Sequence, residues 1–351
     1  VTHPVHTPVV AADGALIRFT LAELLTGRTA SMRIDLTDAG AAEPWLTRFA
    51  GAEACLAALG EGGVDLPARP ELARLASLLW IRRWWPVSPS LGVPALDPAL
   101  LDLETAVATA AVEELAEGLL DGFEATPAEL FDTAVADGAL VAAASPVADE
   151  VRGLCGRLAS WFDDQDDVVR AETATEVVAR LETAAPGQRA YALAAGTGPA
   201  AAGEGVLAQG RESVDWARVP PGILDAAEDT VTWRIVASGA TARLEVDVAG
   251  AFADAALTAV ATHDGEPFAE VALSLGAGRF TGTAELDEAS ARLAANVRSG
   301  RIALVVGVAG EGVAGTTAED RAEVVALVRA RPPEARTLAE RAAAAAEDEE
   351  F

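Results

Sequence analysis

With 351 residues, 51% of them hydrophobic, the chain is long enough for about two domains. Its formal net charge of -28 argues against nucleic acid and anionic membranes as partners. It contains no lysine, which excludes the Schiff-base nucleophile, the Walker A lysine and the kinase strand lysine together.

All 26 basic residues are arginine, a skew expected of a high-GC bacterial genome. The N-terminal stretch "VTHPVHTPVVAADGALIRF" has no basic segment leading into an apolar one, so no secretory signal is expected. No apolar run approaches the ~20 residues of a membrane span. The expectation is a cytoplasmic protein without a membrane partner. The first 30 residues alternate loosely, and "SMRIDLTD" (Ser31 to Asp38) predicts a short strand.

From Ala42 the apolar period becomes helical. "EPWLTRFAGAEACLAALGEG" predicts one helix, with Pro44 near its first turn and glycines at its end. Further helices are predicted over "PELARLASLLWIRRWW", "DPALLDLETAVATAAVEELAEGLL", "TPAELFDTAVADGALVAA", "DEVRGLCGRLASWF" and "DVVRAETATEVVARLETAA". Asp97–Pro98 and Thr126–Pro127 read as caps followed by the first helical position. Cys55 and Cys155, 100 residues apart in helical patterns, read as two buried reduced thiols.

Residues 186–205, rich in glycine, proline and alanine, read as a linker. Beyond it the period falls to two. "DTVTWRIVA", "TARLEVDVA", "ALTAVATH", "FAEVALSL", "RFTGTAEL" and "RIALVVGVA" predict six strands, with "GVLAQGRESVDW" a possible seventh. The stretch "LTAVATHDGEPFAEVALSLGAGRFTGTAEL" resembles the hairpins of immunoglobulin-like modules, which implies an antiparallel β-sandwich over 206–315. After Gly315 a helix is predicted, with Thr317 as its cap. The tail from Glu334 is helix-prone with little apolar surface and reads as loosely attached.

The fold class is therefore α+β in two domains. Residues 1–185 form an all-α helical domain apart from a short N-terminal strand region. An immunoglobulin-like sandwich follows the linker, and 316–351 form a C-terminal helix and acidic tail.

Catalytic signatures are sparse. "GEGVAG" (Gly310 to Gly315) matches a dinucleotide-binding pattern, but too little chain follows it for the next strand, so it reads as a glycine-rich turn. "GTGPAAAG" at Gly196 has no following helix. Asp163, Asp164, Asp166 and Asp167 in "WFDDQDDVV" form the densest acidic cluster. They read as one helix end and the cap of the next helix, with a divalent-ion site as the alternative. Of three histidines only His263 lies beside a structured turn, and no G-x-S-x-G or H-E-x-x-H motif accompanies it. No cofactor is expected.

"WIRRWWP" (Trp80 to Pro86) concentrates three of the seven tryptophans and is followed by 13 acids without a base, up to Arg152. Its helical phase reads as a buried helix end, with Arg82 and Arg83 in the last turn complementing the dipole and meeting downstream acids. The alternative is a groove in which Arg82, Arg83, Trp84 and Trp85 bind a partner, since tryptophan and arginine dominate binding hot spots. The longer run "WIRRWWPVSPSLGVPALDPALLDLE" resembles one in an uncharacterised accessory-protein family of high-GC Gram-positive bacteria. The resemblance implies a partner subunit in a multi-gene stress or defence system and carries no catalytic residues. The expected function is thus a non-enzymatic protein-interaction or regulatory subunit with a protein partner. A carboxylate- or metal-dependent hydrolase is the alternative.

Overall fold

Alternation of apolar and polar residues from Val9 onward builds four short strands where only one was expected. The computed structural model describes residues 3–183, 205–238, 241–296, 301–307 and 315–349. β1 (Val9–Ala12), β2 (Ala15–Arg18), β3 (Ser31–Leu36) and β4 (Gly63–Pro67) form an antiparallel sheet in that order, with α1 (Leu21–Thr26) between β2 and β3. Val10, Ile17, Met32 and Ile34 are buried side chains of this sheet. β4 starts at Gly63, directly after the glycines that end the predicted helix.

The single helix expected around Trp45 is two, α2 (Ala39–Ala50) and α3 (Ala52–Glu61). They part at Gly51, whose φ of 87° disfavours any side chain. The first of them begins before Pro44. Asp38 caps it, accepting from the Gly40 N–H at 2.9 Å, and Pro44 lies inside, where it forfeits one helical hydrogen bond.

The helical body comprises α4 (Pro70–Trp84), α5 (Pro98–Glu113), α6 (Pro127–Val135), α7 (Ala139–Ala143), α8 (Ala148–Asp164) and α9 (Val168–Thr183). Asp97 and Thr126 cap α5 and α6 as their positions suggest, Thr126 in a capping box with Glu129. α5 stops seven residues short of the expected Leu120, and the helix expected over 126–143 breaks at Asp137, where φ is 52°. α5 is the central helix, buried almost all round, with Asp102, Glu104, Thr105 and Thr109 among its buried residues. The two threonine hydroxyls donate back to Leu101 and Thr105 carbonyls, which removes their burial penalty.

The second region holds β5 (Val206–Glu212), β6 (Val231–Ser238), β7 (Thr241–Ala249), β8 (Leu257–His263), β9 (Glu266–Gly276), β10 (Arg279–Leu286), α10 (Glu288–Asn296) and β11 (Ile302–Gly307). The strands pair antiparallel in the order β11-β8-β9-β10-β7-β6-β5. Where two separate sandwich sheets were expected, one sheet runs through all seven. β9 and β10 share only three paired positions, Arg279 to Thr281 with Gly276 to Ser274, and the sheet turns there. β11 returns beside β5. The inner face is apolar throughout: Trp233, Ile235, Leu244, Val246, Val271, Phe280 and Leu304 belong to one buried cluster.

At the turn of the sheet, a Cβ on Gly282 would stand 2.5 Å from Val271 Cγ1 and 2.6 Å from the Ala272 carbonyl oxygen. Backbone cannot yield there, so Gly282→Ala is expected to destabilise by ~1–3 kcal/mol or more. A denaturant midpoint equal to that of the parent chain would contradict this.

α11 (Ala318–Arg329) and α12 (Leu338–Glu349) complete the chain. Thr317 and Asp320 exchange capping bonds at 2.9 and 3.1 Å, as Thr317 suggests. Arg321, nearly buried, forms a two-pronged pair with Glu228 at 2.7 and 2.8 Å. Those bonds hold the Glu228 carboxyl below its usual range. A depressed carboxylate stabilises above its unfolded pKa and loses that contribution as pH falls through its folded pKa. The stability difference between the parent and Glu228→Gln should therefore be full at neutral pH and shrink below the carboxylate range. Denaturation curves over a pH series check it, and a difference that grows on acidification contradicts it.

The chain groups into two units, neither of them continuous. The first comprises Val1–Arg83, Pro94–Arg189 and Ala326–Phe351, and the second Trp84–Val93 and Ala190–Val325. The tail thus belongs with the helical unit and is not loosely attached. Thr337 and Glu340 cap α12 reciprocally at 2.7 and 3.1 Å, and Leu338, Ala339 and Ala342 are buried. What few apolar residues it has are supplemented by buried charge. The expected linker, 186–205, lies outside the described residues except for Gly205, as does "GTGPAAAG". Most of "GEGVAG" does too.

Candidate functional site

Four helices of the first unit enclose an open cleft of about 530 Å³. α5 and α8 supply its floor with the same helical spacing. Glu104, Val107, Ala108 and Ala111 on one stand at i, i+3, i+4 and i+7, as do Glu150, Gly153, Leu154 and Arg157 on the other. Glu71 and Arg74 line it from the first turns of α4, and Leu338 and Arg341 from the start of α12. The result is a small-residue, aliphatic floor with three glutamates and three arginines around it.

The charges divide into tied and untied groups. Glu104 is buried. One of its oxygens is bound by Arg74, and the other accepts the Leu338 N–H at 2.6 Å, so it satisfies an open donor at the head of α12. Burial pushes the Glu104 carboxyl above its usual range, against the pull of Arg74 and of that backbone donor. Beside it, Arg331 and Glu340 form a pair at 2.8 Å whose side chains are 1% and 6% exposed. Burial holds the Arg331 guanidinium below its usual pKa while Glu340 pulls the other way.

At the rim, Arg341 and Glu150 lie 3.5 Å apart, both half exposed, an arrangement worth only ~0–1 kcal/mol. The side chains of Arg157, exposed, and Glu71, half-buried, have no hydrogen-bond or ion-pair partner among the described residues.

The residues singled out from sequence fall elsewhere. Trp80 is buried and donates from Nε1 to the Val5 carbonyl at 2.7 Å, tying the N-terminal segment to α4. Arg82 pairs with buried Asp102, one of the 13 acids downstream, and burial lowers its pKa. Arg83 is half-buried and engaged. Trp84 and Trp85 are only 9% and 6% exposed, so their rings are occupied by packing. The chain from Trp84 to Val93 groups with the second unit. There Val87 accepts from the Ala226 N–H at 2.8 Å and Ser88 bridges to Val93.

Asp163, Asp164 and Asp166 are exposed, and Asp166 has a φ of 59°. Asp167 caps α9, accepting from the Arg170 N–H at 3.2 Å and pairing with its guanidinium at 2.6 Å. Those bonds hold Asp167 below its usual range. Among the described residues no three of His, Cys, Asp and Glu converge as metal ligands would. His263 lies 3.6 Å from Asp264, whose carboxylate is taken by Arg301. Cys55 and Cys155 are buried and unbonded to each other, and burial pushes the Cys155 thiol up to about 12.

The cleft itself escaped the sequence reading. Its signal was the run from Glu150 to Arg157, a glycine-bearing stripe with an acid at one end and a base at the other. Such a stripe looks the same as a solvated helix face until three other helices are placed around it. No known protein family matches the chain, and neither curated proteins nor solved structures gave a match.

Proposed function

We propose that the chain is a non-enzymatic protein-interaction or regulatory subunit whose partner engages the cleft of α4, α5, α8 and α12. The observation that carries this reading is the division of charge there. The deepest acid, Glu104, is consumed by Arg74 and the Leu338 N–H, so its lone pairs serve the fold. Arg157 and Glu71 stand at the lining with no hydrogen-bond or ion-pair partner among the described residues. Fixed inner charge with open outer charge suits recognition, where rim charges set partner choice and encounter rate.

The resemblance of "WIRRWWPVSPSLGVPALDPALLDLE" to bacterial accessory proteins supports the same reading. In this proposal the second unit is a recognition module related to immunoglobulin-like sandwiches. Its alternating antiparallel strands support that relation, although they form one sheet and not two.

Affinity purification at native expression, followed by mass spectrometry, tests the proposal. A protein recovered in near-stoichiometric amount is expected. Recovery of the chain alone would overturn it.

A further inference from the structure

Arg157 and Glu71 differ from the other charged groups of the cleft in one respect. Each lines the same space from a different helix, and neither is bound to anything among the described residues. Val107, Ala108, Ala111 and Leu154 line the same space, with an open position at Gly153, where an added Cβ would meet nothing within 4 Å. A ligand that complements this surface is aliphatic in its middle and carries both signs of charge. At about 530 Å³ the space lies within the ~300–1,000 Å³ of sites that bury small ligands or short segments.

We infer that the cleft recognises a short partner segment in which aliphatic residues are flanked by one acidic and one basic side chain. The acid meets Arg157 and the base meets Glu71. The inference rests on the interaction reading above and names the chemistry of the partner at that site. Arg341, at the Glu150 end of the α8 stripe, adds a second cation to the cleft, because its hold on Glu150 is long and solvent-screened and yields to a better carboxylate. A segment of single charge sign satisfies only one of the two unpaired groups and leaves the other to be desolvated alone. This makes the site selective for mixed charge, although the chain as a whole is strongly acidic.

Two capped pentapeptides, acetyl-RLLLE-amide and acetyl-ELLLR-amide, probe the site by calorimetric titration of the full chain, the order of charges being what distinguishes them. One of the two is expected to bind, and changing its Glu or its Arg to Gln should weaken it about tenfold, or 1.4 kcal/mol. In Arg157→Gln the penalty for losing the peptide's Glu should vanish, and in Glu71→Gln the penalty for losing its Arg. Neither side chain is buried, so both variants are expected to melt with the parent.

No binding of either peptide at millimolar concentration, or binding indifferent to the peptide's charges, would overturn the inference. Failure here together with a protein partner recovered by affinity purification would leave the interaction reading standing. Peptide binding with no recovered partner would do the reverse.

Discussion

Replacing Glu340 with alanine is expected to destabilise the helical unit by about 3–5 kcal/mol. The reason is the partner left behind. Arg331 is 1% exposed, and its Nη1 lies 2.8 Å from Glu340 Oε2, so the substitution strands a guanidinium where water does not reach. Arg331 Nε and Nη1 both lack a well-directed hydrogen bond among the described residues, so Glu340 holds the guanidinium by charge, while Nη2 donates to the Ala335 carbonyl. Glu340 also receives the Thr337 N–H at 2.7 Å, and that cap disappears with it.

The same logic predicts partial recovery when both charges go. Arg331→Met combined with Glu340→Leu should be considerably more stable than Glu340→Ala alone, because no unpaired charge remains buried. Urea denaturation of the three variants measures this. Equal stability of the parent and Glu340→Ala would mean that α12 is not held through this pair.

Trp85→Ala is the second large effect, a loss of about 3–5 kcal/mol for emptying the volume of a packed indole. At 6% exposure the ring has neighbours on nearly every side, and Pro86, Val87 and Ser88 after it are buried as well. The chain groups into two units, so the loss is best read from the transition of the second, with which Trp85 clusters. A melting profile unchanged by Trp85→Ala, with a partner lost, would instead restore the tryptophan–arginine groove as the binding surface.

Local chemistry made much of this architecture readable. Asp97 and Thr126 announced their helices because a capping side chain acts within three residues of itself. The strands from Val231 to Gly307 announced themselves because every second residue faces one apolar cluster. Other features depended on distant parts of the chain. Whether seven strands make two sheets or one is decided at three paired positions between β9 and β10 and at the close approach around Gly282.

The docking of the tail was illegible for a similar reason. α12 presents few apolar residues, and its attachment comes from Glu104, more than 200 residues earlier in the chain. An acid and an arginine on separate helices look solvated until their burial is known. The tryptophans of "WIRRWWP" show the opposite case: their helical phase already suggested packing, and their low exposure agrees with it. The cleft required four helices to be placed before Arg157 and Glu71 shared a space.

The most direct test of the cleft as the binding surface is partner recovery by the double variant Glu71→Gln, Arg157→Gln. Purified in parallel with the parent chain at native expression, it should melt at the parent's temperature and recover several-fold less partner. Undiminished recovery by a folded double variant would contradict the assignment of binding to this cleft.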